Sequence, residues 1–273
     1  MMARKSDERR HVLSLSGGKD SAALAVYLHD KIPNLEYVFM DTGYELPETY
    51  EFLKRMRAIL GIQIKVLKPS RDFNFWLKIF KGCLPAPNNR WCTRKLKIKP
   101  YEKYVGSDFI VSYIGLRADE DRMGYFSNKD NILPMYPFIE DGLCRRDIIQ
   151  ILEDKGLGLP QYYKWRSRSG CYFCFYQRRN EWIGLLDTHP DLFEKACEYE
   201  ESHSDGRTYT WIEGVSLREL AKNRDNICAP STKSDQFNNS KLCNILGGKE
   251  FSFGKTNILN NKKGDDECLF CTL

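Results

Sequence analysis

No apolar run in this chain approaches the roughly 20 residues that a membrane-spanning helix needs. The opening stretch, Met1 to Arg10, is polar and charged and lacks the apolar centre of a secretory signal. A large charge of one sign is also missing. The net charge is +5 and the pI about 8.6, short of the strongly basic footprint of a dedicated nucleic-acid-binding domain. No internal repeat is visible. These absences leave a cytoplasmic protein with an ordinary mixed-charge surface as the expectation.

What is present is enough for a substantial core. The 273 residues are 42% hydrophobic, which suits one large α/β domain and a smaller C-terminal piece. Ten cysteines are the unusual feature. A cytoplasmic chain keeps them reduced, and clustered ones then suggest metal or redox chemistry.

The pattern alternates. His11 to Leu15 reads as a buried strand, Lys19 to His29 as a helix and Leu35 to Met40 as a second strand. Pro47 opens a second helix carrying Phe52, Leu53, Met56 and Leu60. Ile62 to Leu67 alternates like a third strand, Phe73 to Phe80 looks helical, and Phe109 to Ile114 is a fourth strand. Such an order predicts a parallel sheet with helices on both faces, with the loops after Leu15, Met40 and Ile114 opening on one edge. Beyond Met135 the character changes to helices, at 147–152, 181–186 and from Pro190, around a cysteine pair. The expected division is a nucleotide-binding α/β domain over 1–135, a mostly helical, cysteine-containing region over 136–223, and a polar tail with cysteines over 224–273.

Ser16-Gly17-Gly18-Lys19-Asp20-Ser21 lies between the first strand and the first helix. Glycines there allow a sharp turn and close backbone approach, and the free N–H groups of a helix start face an anion. Lys19 adds positive charge, Asp20 suits Mg²⁺, and Ser16 and Ser21 can donate to phosphate oxygens. The spacing is not that of the longer Walker A loop.

This loop resembles the pyrophosphate loop of the N-type ATP pyrophosphatases and, within them, the phosphoadenylylsulfate (PAPS) reductase-like family. Asp41-Thr42-Gly43-Tyr44-Glu45-Leu46-Pro47-Glu48-Thr49 is similar to the family's second-strand signature, which lines the adenosine pocket. Gly115-Leu116-Arg117-Ala118-Asp119-Glu120-Asp121-Arg122 is similar to its later motif, whose arginine faces the nucleotide phosphates. The resemblance implies an adenine nucleotide α-hydrolase-like fold. Lys19, Asp20 and Arg117 would be catalytic; Ser16, Gly17, Gly18, Ser21, Asp41, Thr42 and Gly43 would hold ATP or PAPS, with Mg²⁺.

Cys171-Tyr172-Phe173-Cys174 is a pair whose spacing suits one metal or one cluster. Cluster-bearing members of the family have two adjacent early cysteines before a basic segment, and a later pair. Here Cys92 and the pair Cys171 and Cys174 match, Trp91 stands where the other early cysteine belongs, and Cys83 is nine residues upstream. The resemblance therefore implies a [4Fe–4S] cluster on Cys83, Cys92, Cys171 and Cys174; zinc on the same four, or plain buried thiols, are the alternatives. Reductases of the family act through a C-terminal Glu-Cys-Gly-Leu/Ile-His motif, whereas this chain ends with Glu267-Cys268-Leu269-Phe270-Cys271. Cys268 and Cys271 read as a redox or sulfur-carrying pair, as partners of Cys228 and Cys243 in a second metal site, or as an incidental tail. Cys144 and Cys197 read as packing residues.

Arg90, Arg94, Lys95, Lys97 and Lys99 form either a solvated face or an electropositive rim for phosphates or a nucleic-acid backbone. The aromatic and basic residues between Tyr162 and Tyr176 suit a wall around a cluster, or stacking on bases. His189 reads as a cap-adjacent residue. The function expected is ATP cleavage to AMP and pyrophosphate, activating a substrate for sulfur transfer. By resemblance to the DNA phosphorothioation members, the acceptor would be a nucleic acid and a cysteine desulfurase or another modification-complex subunit the partner. The rivals are a sulfonucleotide reductase releasing sulfite and a non-catalytic nucleotide-binding subunit of a modification or defence complex.

Overall fold

The structure, a computed structural model, describes residues 9–121, 129–200 and 208–224. Among these residues five strands form one parallel sheet: β1 (Arg10–Leu15), β2 (Glu36–Met40), β3 (Ile64–Leu67), β4 (Ile110–Tyr113) and β5 (Ile132–Met135). Their spatial order is β3-β2-β1-β4-β5. β1 lies centrally, with Val12 beside Glu36 of β2 and Arg10 beside Ile110 of β4. Because all pairs are parallel, the chain leaves every strand on the same edge, as the alternating pattern predicts. The direction of winding reverses between β1 and β4, and sheets of this kind bind ligands at that switch point.

Alternation within the strands sends side chains to two cores. Leu13, Leu15, Tyr37, Phe39, Val111 and Tyr113 face one side. There they meet α1 (Lys19–Leu28), α2 (Pro47–Leu60) and α7 (Arg145–Asp154). Val12, Val38, Met40, Ile110 and Ile132 face the other and meet Tyr101 and Val105 of α5 (Lys99–Val105). Pro47 starts α2 where a missing N–H is harmless, and Gly61 ends it in the left-handed conformation, φ 64°. Ile148 and Leu152 belong to the same core as α1, so that core continues past Met135.

A third cluster is built largely from aromatics: Phe73 of α3 (Phe73–Ile79), Trp91 of α4 (Trp91–Thr93), Phe173, Trp182 of α8 (Arg179–Thr188), Phe193 of α9 (Pro190–Glu198) and Trp211. α10 (Leu217–Lys222) closes it with Leu217 and Leu220. A short helix, α6 (Pro137–Glu140), follows β5. No helix of the described residues is long and apolar enough to cross a membrane.

Two regions escaped the sequence pattern. β5 contains Pro134, an unusual residue for a strand, tolerated because among the described residues β5 is an edge that pairs only with β4. The basic run from Arg90 to Lys99 leads through α4 and a π-helical turn over Arg94–Ile98 into α5, with Lys97 and Leu96 turned inward.

Candidate active site

The loop from Ser16 to Gly18 joins β1 to α1 at the switch point. Gly17 has φ 74°, and a Cβ there would lie 2.4 Å from Thr49 Cγ2. Both the conformation and the space require glycine. Gly18 is the N-cap of α1 and carries no side-chain cap, so the first turn meets the loop with its backbone. Ser16 and Ser21 tie the turn together. Ser16 N–H donates to Ser21 Oγ at 3.1 Å, the two hydroxyls are 3.0 Å apart, and Gly18 N–H donates to Ser16 Oγ at 3.2 Å.

Charge collects beside it. Lys19, Asp20 and Ser21 are buried. Lys19 Nζ donates to Asp20 Oδ2 at 2.7 Å and Arg117 Nη1 to Asp20 Oδ1 at 2.6 Å. Arg117 also pairs with Asp119 at 2.9 Å and with Glu120 at 2.8 Å. Burial works against the Arg117 charge, but Asp20, Glu120 and Asp119 outweigh it and hold its pKa above the ordinary value. The loop after β4 thus reaches the loop after β1. Gly115 fits the contact closely, since a Cβ there would sit 3.0 Å from the Asp20 carbonyl oxygen.

The loop after β2 completes the edge. Asp41 Oδ1 accepts from Gly43 N–H at 2.9 Å and from the Tyr50 hydroxyl at 2.7 Å. Thr42 turns instead toward the cysteines: its hydroxyl donates to Glu45 Oε1 at 3.0 Å and lies 3.2 Å from Cys171 Sγ.

Cys92, Cys171 and Cys174 line one pocket together with Thr42, Lys97 and Ser169. Cys83 is not among its lining residues; its Sγ contacts Asn89 Nδ2 at 3.8 Å and the Leu84 carbonyl at 3.7 Å. Among the described residues, no three His, Cys, Asp or Glu side chains are gathered as a metal site. Of the four cysteines expected to act together, three thus share one pocket and Cys83 lies outside it. Cys171 Sγ instead lies 3.7 Å from Glu45 Oε1, with Lys97 Nζ 3.9 Å from the same oxygen. Burial, reinforced by Glu45 and partly offset by Lys97, pushes the Cys171 thiol well above its usual pKa. The second carboxylate oxygen of Glu45 is buried without a hydrogen-bond partner.

Three side chains that sequence reasoning did not place at the nucleotide loop hold it from a segment distant in sequence. The Tyr162 hydroxyl donates to the Gly17 carbonyl at 2.7 Å, Lys19 N–H donates to the Tyr163 hydroxyl at 3.2 Å, and Ser169 Oγ donates to Ser16 Oγ at 3.3 Å. Burial raises the pKa of both tyrosines, that of Tyr163 to about 12. Two adjacent tyrosines carry no signal of such a contact, and they read more naturally as an aromatic wall. Of the other residues weighed from sequence, Cys197 is buried in α9, and Cys144 caps α7, where its N–H donates to Asp147 at 2.8 Å. His189 is indeed at the start of α9 and also meets Glu48 at 2.8 Å. Arg122, Cys228, Cys243, Cys268 and Cys271 lie outside the described residues.

Residues 10–129 match the family model described as the phosphoadenosine phosphosulfate reductase domain. The uncharacterized protein MJ0973 of Methanocaldococcus jannaschii is 28% identical over 236 residues, which cover 78% of this chain and 54% of that protein. MJ0066 of the same organism is 29% identical over 74% of this chain and 44% of its own length. The chain thus spans about half the length of these relatives. The PAPS reductase of Candida auris, solved as a phosphate complex, resembles it at 12% identity and a TM-score of 0.48, over 62% of this chain and 84% of that one. The segment from Arg10 to Lys129, which holds the loop, Asp41 and Arg117, belongs to the phosphoadenosine phosphosulfate reductase domain family.

Proposed function

We propose that this chain binds an adenine nucleotide across the carboxyl edge of its sheet, cleaves ATP to AMP and pyrophosphate, and so activates a substrate for sulfur transfer, with a nucleic acid as the acceptor. One observation carries the reading: Lys19 and Asp20 of the first turn of α1 and Arg117 of the loop after β4 converge beside a glycine turn at the switch point of a parallel sheet. The turn's backbone and the start of α1 would take the β and γ phosphates. Lys19 and Arg117 supply fixed positive charge where negative charge builds up as pyrophosphate leaves the α phosphorus. Asp20 would be the carboxylate that holds Mg²⁺, which would spread the phosphate charge when bound. Asp41 to Gly43 would receive the adenosine.

The acceptor class is supported by the surface beside the cysteine pocket. Thr93, Leu96 and Lys97 line that pocket, while Arg94 and Lys99 on the same stretch are exposed. A basic strip there suits a phosphate backbone. A cysteine desulfurase is the partner class that would supply sulfur.

The test is to purify the full chain without oxygen and offer it ATP or PAPS with Mg²⁺, following AMP, pyrophosphate and sulfite. Pyrophosphate and AMP from ATP are expected. Sulfite from PAPS with no ATP cleavage would make the chain a sulfonucleotide reductase. Tight ATP binding without products, even with candidate acceptors present, would make it a nucleotide-binding subunit.

A further inference from the structure

We propose that Tyr162, Tyr163 and Ser169 are positioning residues that couple the Ser16–Ser21 loop to the cysteine pocket, so that an anion bound on the loop and a chemical change at Cys171 or Cys174 alter one another's equilibrium. This rests on the nucleotide reading above.

A single short segment touches both places. At one end Tyr162 and Tyr163 hold Gly17 and Lys19; further on, Ser169 bonds to Ser16 and also lines the cysteine pocket. Ser169 is close to the turn itself: its Oγ lies 2.8 Å from where a Cβ on Gly18 would sit. Two residues later comes Cys171.

The segment has little room to absorb a displacement locally. Arg166 is almost wholly buried and donates to the carbonyls of Gly170 at 3.1 Å and Cys171 at 3.0 Å. Ser167 N–H is held by Glu181 at 2.7 Å, Tyr172 N–H by the Tyr44 carbonyl at 2.8 Å, and the Tyr172 carbonyl by Gln177 at 2.8 Å. Gly170 has φ 143°, so the turn into Cys171 is set by backbone geometry. Added bulk on either sulfur must therefore move the Ser169–Cys174 turn as a piece, and Ser169 carries that movement to Ser16 and Gly18. Coupling of this kind is reciprocal in binding free energy.

The probe is inorganic pyrophosphate with Mg²⁺, titrated calorimetrically into the full chain. The chain is used before and after iodoacetamide treatment, with modification at Cys174 verified by peptide mass mapping; at Cys171, whose buried thiol resists alkylation, the added bulk is supplied by Cys171→Met in the same titration. Alkylation is expected to weaken pyrophosphate binding by about five-fold or more. In a chain carrying Tyr162→Phe and Ser169→Ala, alkylation is expected to leave the affinity unchanged. Tyr163→Phe, which deletes one hydroxyl, provides a milder second variant, expected to lose part of the effect. An unchanged affinity in the alkylated parent, or an equal loss in parent and variants, would overturn the coupling while leaving the nucleotide reading intact. No pyrophosphate binding by the unmodified parent would overturn the nucleotide reading and the coupling with it.

Discussion

The hydroxyl of Tyr162 donates to the carbonyl of Gly17 across 145 positions of sequence. Both groups are buried, so the loop's backbone is satisfied by a residue well outside the segment that carries the family signature. Tyr162→Phe leaves that carbonyl without its partner, at a cost of about 1–3 kcal/mol. Chemical denaturation of the variant should show a loss in this range, and pyrophosphate binding should weaken with it.

Gly17→Ala combines a strained backbone with a methyl group driven into Thr49 Cγ2. The strain alone costs on the order of 1–3 kcal/mol. Gly18→Ala meets mainly the Ser169 hydroxyl, the end of a side chain that can rotate away. The expected order in thermal melts is parent, then Gly18→Ala, then Gly17→Ala, with Gly17→Ala also abolishing nucleotide binding. Equal melting of Gly17→Ala and parent would refute the steric argument.

Lys19→Ala and Arg117→Ala each remove one of the cations that converge on Asp20. If they stabilise the departing pyrophosphate, each loss should slow AMP formation roughly 100- to 1,000-fold, the range for deleting one fixed group from such a site. Rates within two-fold of the parent would remove both residues from the mechanism.

Cys83 stands apart from the pocket shared by Cys92, Cys171 and Cys174. Iron and zinc should be measured in anaerobically purified chain and in four single serine variants. Cys83→Ser is expected to retain whatever metal the parent holds, while serine at Cys92, Cys171 or Cys174 lowers it. Loss of metal on Cys83→Ser would mean that its loop closes over the pocket in the loaded protein.

Glu36 predicts part of the acid sensitivity. Arg10 grips it with two hydrogen bonds, of 2.8 and 2.9 Å, and the Tyr104 hydroxyl adds a third. The bond from Arg10 outweighs partial burial and lowers the carboxyl pKa below its ordinary 4.5. A lowered folded-state value contributes stability above the unfolded pKa and loses it as pH falls through the folded one. Arg10→Gln should therefore destabilise near neutrality and flatten the decline in stability below about pH 4.5. A parallel, merely shifted pH profile would contradict this.

The sheet was legible in sequence because its strands are short apolar runs separated by helical periodicity, and the ends of β1, β2 and β4 fell within a residue or two of expectation. The nucleotide loop was legible because its chemistry is local: glycine, lysine, aspartate and serine act where they stand in the chain. What could not be read depends on distant contacts. Nothing local marks Glu45 as the neighbour of Cys171, 126 residues away, or Ser169 as the neighbour of Ser16. The nine-residue interval between Cys83 and Cys92 likewise does not tell that Cys92 lines the pocket while Cys83 Sγ meets Asn89 and the Leu84 carbonyl. Spacing along a loop does not determine which way a thiol points.

The central position of β1 has a consequence for how the protein is made. Its neighbour β2 arrives soon after it, but its other neighbour, β4, follows about 100 residues later, since Arg10 pairs with Ile110. At roughly 5–20 residues per second, a ribosome leaves one edge of the innermost strand unpaired for some 5–20 seconds. During that interval the central strand of the sheet can pair with another nascent chain. The synthesis of this protein is therefore more exposed to aggregation than the finished molecule, whose central strand has both edges covered.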